Sequence, residues 1–176
     1  MSVDEELHEH AEHAKEPFDK KVAVTMAIIA AMLAVDGVMS HMFTTEELLS
    51  QQKASDQWSY YQAKSNRRYT SEVATDIFKG IHTEAAEPSV EKYKTNVEKY
   101  KKESEEVSDK AKEFEAESKK KGDQAHRLDF GEVFLELGIV LASMAILTKS
   151  NFVWFASIGS ALVGLAIALS MFMVTS

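Results

Sequence analysis

The sequence predicts an all-α membrane protein, in which three transmembrane helices carry a long extramembrane antiparallel helical hairpin between the first and second spans. Three apolar blocks are separated by a middle region rich in Lys, Glu and Asp. Each block is close to the ~20 residues that a helix needs to cross a bilayer. Within the middle region, residues 90–128 place their less charged positions at alternating spacings of three and four. This is the heptad pattern of packed helices.

The composition excludes several classes of function. The formal net charge is -8, and the basic residues are interleaved with acidic ones, so nucleic acid is not an expected partner. The chain contains no Cys, which excludes disulfides, thiolate zinc sites and thiol catalysis. It contains no Gly-rich phosphate loop, no dinucleotide fingerprint and no nucleophile with a base at a recognisable spacing. We therefore expect neither an enzyme nor a cofactor.

The N-terminal segment, residues 1–21, is acidic and contains His8, His10 and His13. On a helix, His10 and His13 could face the same way as Glu9 and present a mixed site for zinc or nickel. Nothing in the sequence supplies a closed site with supporting hydrogen bonds. Weak, adventitious metal binding is the alternative, and the sequence favours it.

The first predicted transmembrane helix, residues 22–43, reads VAVTMAIIAAMLAVDGVMSHMF. It has no small-residue cleavage site and follows an acidic leader, so it is not a signal peptide. Its far end contains polar residues, and folding the chain back lays them beside two acids at the start of the second apolar block. This predicted intramembrane cluster is Asp36, Ser40, His41, Glu132 and Glu136. Such residues indicate a proton or ion path, or hydrated side chains near the interface that orient the helices.

The extramembrane hairpin is predicted over residues 44–129. Thr44 and Thr45 before Glu46 and Glu47 resemble a capping signal, which makes a short break in the helix possible there. Further on, Tyr69, Val73, Ile77 and Ile81 step by four, so the apolar stripe is expected to drift around the helix.

Gly80 is the predicted helix stop, and Pro88 suits the first turn of the returning helix. Roughly 39 residues lead to this turn and roughly 43 return, each ~60 Å of helix at ~1.5 Å per residue. The two arms of the hairpin therefore match in length. The seam of the returning arm consists of Val90, Tyr93, Val97, Tyr100, Val107, Ala111, Phe114 and Leu128.

An aromatic and basic segment of the first arm forms a candidate interaction patch. Its residues are Trp58, Tyr60, Tyr61, Gln62, Lys64, Arg67 and Arg68. The patch could dock on a partner or on anionic lipid headgroups. Alternatively, Trp58 and Tyr61 pack in the core between the two arms against Phe114 or Val107.

The second transmembrane helix is predicted over residues 130–148 and the third over residues 152–174, with a tight polar turn between them. The third block holds no charged residue, and Trp154 lies near its start, as interfacial aromatics commonly do. A row of small residues at four-residue spacing is expected to pack against another helix, either within the chain at Gly138 and Ala142 or between subunits. The row is Ala156, Ser160, Gly164 and Ala168.

Two stretches resemble a known family. Residues 54–65 read ASDQWSYYQAKS, and residues 139–149 read IVLASMAILTK. Both are similar to the signatures of an uncharacterised bacterial membrane family, the domain of unknown function numbered 4337 (DUF4337). The resemblance extends to the acidic, His-containing N-terminus and the first span. It implies a helical protein of the inner membrane and brings no activity, cofactor or catalytic residue.

The sequence leaves two hypotheses on function. The favoured one is a multi-pass protein of the bacterial inner membrane that acts as a structural or interaction (scaffold or accessory) component. It would self-associate as a homo-oligomer, or dock on a larger membrane protein complex, through its helical hairpin and membrane helices. Beyond the lipid bilayer, these are the expected partners. The alternative is an oligomeric ion or proton channel or transporter that uses the polar residues of the first span.

Overall fold

The computed structural model describes residues 17–173, and nearly all of them are helical. Helix α1 runs over Pro17–Gly80, α2 over Glu87–Thr148 and α3 over Asn151–Leu169. Two short 3-10 helices, Glu84–Ala86 and Ser170–Met173, precede α2 and follow α3. The predicted all-α class is confirmed for this part of the chain.

Helix α1 continues without interruption through residues 44–47. The Thr45 hydroxyl donates to the His41 carbonyl oxygen, four residues earlier, at 2.8 Å. Because this hydroxyl bonds back into the same helix, it does not cap a new N-terminus. The break considered at Thr44 and Thr45 therefore does not occur.

A short connection joins α1 to α2. Helix α1 ends at Gly80, the predicted stop, and Pro88 is the second residue of α2. His82 has a φ of 50°, so it is this residue, rather than the glycine, that takes the left-handed conformation. The Ala86 amide donates to the Thr83 carbonyl at 2.9 Å and closes the 3-10 turn.

The turn between α2 and α3 contains only Lys149 and Ser150. Lys149 has a φ of 52°, which reverses the chain direction. Its ammonium group lies 2.6 Å from the Asp19 carboxylate. The Trp154 amide donates to the Ser150 carbonyl at 3.2 Å and begins α3.

The contacts divide the chain into two compact units. Within the described residues, the first unit comprises residues 17–45 and 120–173, and the second comprises residues 46–119. The core of the first unit consists of three clusters, each of which combines larger apolar side chains with at least one alanine. These are Val22 with Ala142 and Ala145, Ile29 with Leu135 and Ala161, and Leu128 with Ala168 and Met171.

The second unit contains the C-terminal part of α1 and the N-terminal part of α2. Their contacts pair residues whose numbers rise along one helix and fall along the other, so the two segments run antiparallel. The pairs are Glu47 with Ser118, Trp58 with Glu115, Lys64 with Glu103, and Phe78 with Tyr93, whose rings stack at 5.7 Å.

The buried line of α1 in the second unit consists of small residues. They are Ser50, Ala54, Ser65, Ser71 and Thr75. The Thr75 hydroxyl donates to the Ser71 carbonyl at 2.8 Å, and the Ser71 hydroxyl donates to the Arg67 carbonyl at 2.9 Å. Because these hydroxyls are satisfied within their own helix, they can be buried without a partner from α2.

The large apolar residues expected to drift around α1 lie outside this contact. Tyr69, Val73, Ile77 and Ile81 are 55%, 58%, 59% and 49% exposed. The buried line keeps the heptad spacing, since Thr75 follows Ala54 by 21 residues, which is three heptads. The apolar stripe instead steps by four residues at a time. The two lines therefore lie on different faces of α1.

Candidate functional site

A polar cluster lies in the first unit, where α1 faces α2. Asp36 and Ser40 of α1 are buried, and each is 6% exposed. The Ser40 hydroxyl donates to the Asp129 carboxylate at 2.5 Å. Glu132 lies beside Gly37, where a Cβ atom would stand 3.9 Å from Glu132 Oε1. The structure thus brings together Asp36, Ser40 and Glu132 of the predicted polar cluster.

Asp36 is the most unusual member of the polar cluster. Glu132 and Asp129 both act on it electrostatically, so three acids share this part of the unit. Its Oδ2 atom is fully buried, and no residue in the described part of the chain forms a hydrogen bond with it. A buried carboxyl oxygen without a donor is costly, so Oδ2 is an acceptor that the described residues leave unsatisfied.

Sequence reasoning missed Asp129. It precedes Glu132 by three residues, so both side chains leave α2 on one face. This three-residue spacing was the sequence signal that could have identified Asp129 as a member of the cluster. The side chains of His41 and Glu136, in contrast, are exposed on the first unit. Their role in the cluster stays a prediction.

Metal binding finds no support in the part of the chain that the structure describes. Residues 17–173 contain no group of three or more His, Asp or Glu side chains that could hold a metal ion. The histidines predicted as weak metal candidates, His8, His10 and His13, lie outside the described residues.

The aromatic residues of the predicted interaction patch make contacts within the second unit. The Trp58 indole donates to Glu115 Oε1 at 2.8 Å. The rings of Trp58 and Tyr61 meet edge to face, with centroids 5.5 Å apart. Trp58 thus contacts α2 at Glu115, whereas packing of Trp58 and Tyr61 against Phe114 or Val107 stays a prediction. Tyr60 and Gln62 are exposed.

The basic residues of the predicted interaction patch surround the Tyr100 ring and Glu103 of α2. The Lys64 ammonium donates to Glu103 Oε2 at 2.6 Å, and it lies 5.8 Å from the Tyr100 centroid. The hydrogen bond from Lys64 holds the pKa of the Glu103 carboxyl below its usual range. Arg67 lies 6.0 Å from the same Tyr100 centroid. Arg68 instead stands over the Tyr69 ring at 4.8 Å.

The row of small residues in α3 faces α2 within the first unit. A Cβ atom on Gly164 would stand 2.7 Å from the Gly131 carbonyl oxygen, so the two backbones are in contact. The Ser160 hydroxyl donates to the Phe134 carbonyl at 2.7 Å. Ala168 is buried, whereas Ala156 is half-buried. The row therefore contacts α2 within the chain at Gly131 and Phe134, not at the predicted Gly138 and Ala142; Gly138 instead approaches Ser157 and Ala161.

The predicted seam of α2 faces inward along its whole length. Ala111 and Leu128 are buried, and the other six residues are half-buried: Val90, Tyr93, Val97, Tyr100, Val107 and Phe114. These side chains are therefore at least partly covered within the chain. The exposed row, which we define as Tyr69, Val73, Ile77 and Ile81, is available on the surface of the second unit.

These features define a helical protein with three helices that are long and apolar enough to cross a membrane, each with a mean hydropathy of 2.0 or more over its most apolar window. The chain belongs to the family described as Domain of unknown function (DUF4337), whose model matches residues 18–174. No curated protein matches the chain. No solved structure matches it either.

Proposed function

We propose that this protein is a self-associating structural component of a bacterial inner membrane. Its three apolar helices would serve as transmembrane spans, and the antiparallel segments of the second unit would form an extramembrane helical hairpin between the first and second. The observation that carries the proposal is the exposed row, Tyr69, Val73, Ile77 and Ile81. Four large apolar side chains at four-residue spacing, in a unit rich in charged residues, favour a protein contact.

The spacing of the exposed row favours a helix as the partner. Residues four apart form the ridge that fits between the ridges of a second helix when two helices pack. A second copy of the chain carries the same ridge, and a two-fold axis would bring the two ridges together. Burial of this surface would gain roughly 25 cal/mol per Å² of apolar area.

The buried line opposite the row explains why the partner would come from outside the chain. Thr75 and Ser71 face α2, so the helix turns its small residues inward and its large ones outward. If Val73 and Ile77 had packed against α2, this part of α1 would have no exposed apolar face. The contact between α1 and α2 in this unit leaves this apolar face uncovered.

Single-cysteine crosslinking tests the proposal, since the natural chain has no Cys. Ile77→Cys in native membrane vesicles should form a disulfide-linked dimer after mild oxidation. Glu106→Cys, an exposed position on α2, is the matched control and should remain monomeric. In lipid nanodiscs, the triple variant Val73→Ser, Ile77→Ser, Ile81→Ser should lower the oligomer mass without loss of helicity. A strictly monomeric wild-type mass and no crosslink at Ile77 would refute self-association.

The same experiment separates the two kinds of partner. If Ile77→Cys crosslinks to a different protein instead of a second copy, the row is a docking face for a larger membrane complex. That result would replace the homo-oligomer by an accessory role, while the row keeps its function as an interaction surface.

One observation favours a second candidate function, an oligomeric proton or ion pathway. Asp36 is buried and lies close to Glu132 and Asp129, and intramembrane acids by default suggest a conducting path. The test is proton and cation flux into liposomes that contain the purified protein. Flux that Asp36→Asn abolishes and Asp123→Asn preserves would support the pathway, since Asp123 is an exposed acid outside the predicted cluster. If the wild-type protein gave no flux, the hypothesis of a proton or ion pathway would be excluded.

A further inference from the structure

A groove of about 570 Å³ lies on the first unit between α1 and the C-terminal part of the described chain. Its walls are apolar and include Val35, Met39, Leu135, Leu165 and Phe172. Asp36 is the one ionisable residue among the described residues that line it. A concave apolar surface with a single well-placed polar group is typical of a small-molecule site, and the volume lies within the ~300–1,000 Å³ of such sites.

The carboxyl group of Asp36 indicates what the groove can bind. The side chain is more than nine-tenths buried, and none of the described residues donates to its Oδ2. Ser40, one turn along α1, donates to Asp129 rather than to Asp36. If the carboxyl group turned Oδ2 toward the groove, a ligand with an N–H group would supply a hydrogen bond that the described residues leave unmade.

The surrounding charge indicates the sign of the ligand. Glu132 and Asp129 both act electrostatically on Asp36, and both are acidic. In a low-dielectric environment, these acidic neighbours disfavour an anionic ligand and favour a cation. The apolar walls favour a ligand whose remaining body is hydrocarbon.

We propose that this groove binds a small amphipathic amine, with its ammonium group at Asp36 and its apolar body along α1 and the segment from Leu165 to Phe172. The site lies wholly within the first unit and does not depend on self-association through the exposed row. Charge complementarity at Asp36 distinguishes it from a groove that holds only a lipid chain. A primary ammonium group supplies both the positive charge and the hydrogen-bond donor.

Equilibrium binding of tritiated decylamine tests the proposal. The full-length protein is placed in phosphatidylcholine nanodiscs, and binding to empty discs is subtracted. Wild-type protein should bind decylamine saturably, and unlabelled 1-decanol, which has the same chain and no charge, should compete at least tenfold more weakly. Asp36→Asn keeps the size of the side chain and removes its charge. It should weaken binding about ten- to a hundredfold, as expected for loss of a charged hydrogen bond.

Two further variants test whether decylamine binds in this groove rather than elsewhere on the protein. Asp123→Asn removes an exposed acid of the same unit that does not line the groove, and binding should be unchanged. Ala31→Phe fills the groove from an exposed position on α1 and should block binding while helicity is retained. Three results would each overturn the proposal. Asp36→Asn could bind decylamine as tightly as wild-type protein, decanol could compete as well as unlabelled decylamine, or binding could be no greater than in empty discs.

Discussion

Gly131 of α2 and Gly164 of α3 lie backbone against backbone. A Cβ atom on Gly131 would stand 2.9 Å from the Gly164 carbonyl oxygen, and one on Gly164 would stand 2.7 Å from the Gly131 carbonyl oxygen. Real Cβ atoms do not approach backbone oxygens so closely, and backbone cannot move aside as a flexible side chain can. Small residues allow this close approach, which membrane helices use for packing.

Substitution of either glycine by alanine should therefore separate the two helices. We expect Gly131→Ala and Gly164→Ala each to lower the free energy of unfolding by about 1–3 kcal/mol, the usual cost of overpacking. Thermal unfolding in detergent micelles, followed by circular dichroism, measures the change. Gly159→Ala is the matched control in α3, because no atom lies within 4 Å of its added Cβ. It should gain about 0.5–1 kcal/mol through helix propensity. Equal effects at Gly159 and Gly164 would contradict the close contact.

The small residues on the buried line of α1 yield a second prediction. Thr75 is 5% exposed, so Thr75→Leu adds volume where α1 meets α2. We expect a loss of about 1–3 kcal/mol in the unfolding free energy of the isolated protein. Ile77→Thr, two residues away on the exposed row, should change the stability of a monomeric sample by less than about 0.5 kcal/mol. Chemical denaturation at low protein concentration compares the two. A larger loss at Ile77 than at Thr75 would mean that the apolar row is the buried one.

The ion pair between Lys64 and Glu103 predicts a pH dependence. The hydrogen bond from Lys64 lowers the pKa of the Glu103 carboxyl, so this group binds protons less readily in the folded than in the unfolded state. Its contribution to stability is therefore complete above the usual carboxyl pKa, and it is lost as the pH falls through the lowered value. Wild-type protein should melt at a higher temperature than Lys64→Met at neutral pH. The two melting temperatures should converge as the pH approaches the lowered pKa, and added salt should also reduce the difference. A gap that widens on acidification would show that the pair does not stabilise the fold.

The left-handed conformation of His82 yields a fourth prediction. A residue with a Cβ atom pays a steric cost at a φ of 50°, whereas glycine does not. His82 is exposed, so its replacement removes no buried side chain. We expect His82→Gly to be more stable than His82→Ala by up to about 1 kcal/mol, because only glycine relieves this cost. Thermal unfolding of the two variants gives the comparison. An alanine variant as stable as the glycine variant would indicate that the connection between α1 and α2 adopts another conformation.

Several elements follow from local sequence signals. The three apolar blocks follow from hydropathy, which depends on composition over about 20 residues. The spacing of threes and fours in residues 90–128 places the inward face of α2 correctly, from Val90 to Leu128, because the period of a helix is a local property. The stop at Gly80 and the start near Pro88 follow from the conformational limits of these two residues.

Other signals were misleading because they were local. Thr44 and Thr45 before two glutamates resemble a helix start, yet the helix continues since its backbone bonds are already made on both sides. Tyr69, Val73, Ile77 and Ile81 are the large apolar residues of their segment, and size alone suggests that they belong inside. The buried line takes Ser71 and Thr75 instead, because their hydroxyls bond within their own helix.

The sequence by itself determined where the chain is helical, which helices are apolar enough to cross a membrane, and which face of α2 turns inward. Only the tertiary structure decided which residues meet. It pairs Ser40 with Asp129, lays Gly131 against Gly164 and leaves Oδ2 of Asp36 without a donor among residues 17–173. The physical reason is that helical period fixes the directions of side chains about their own axis. The rotation and depth of one helix against another depend on contacts between residues far apart in the chain.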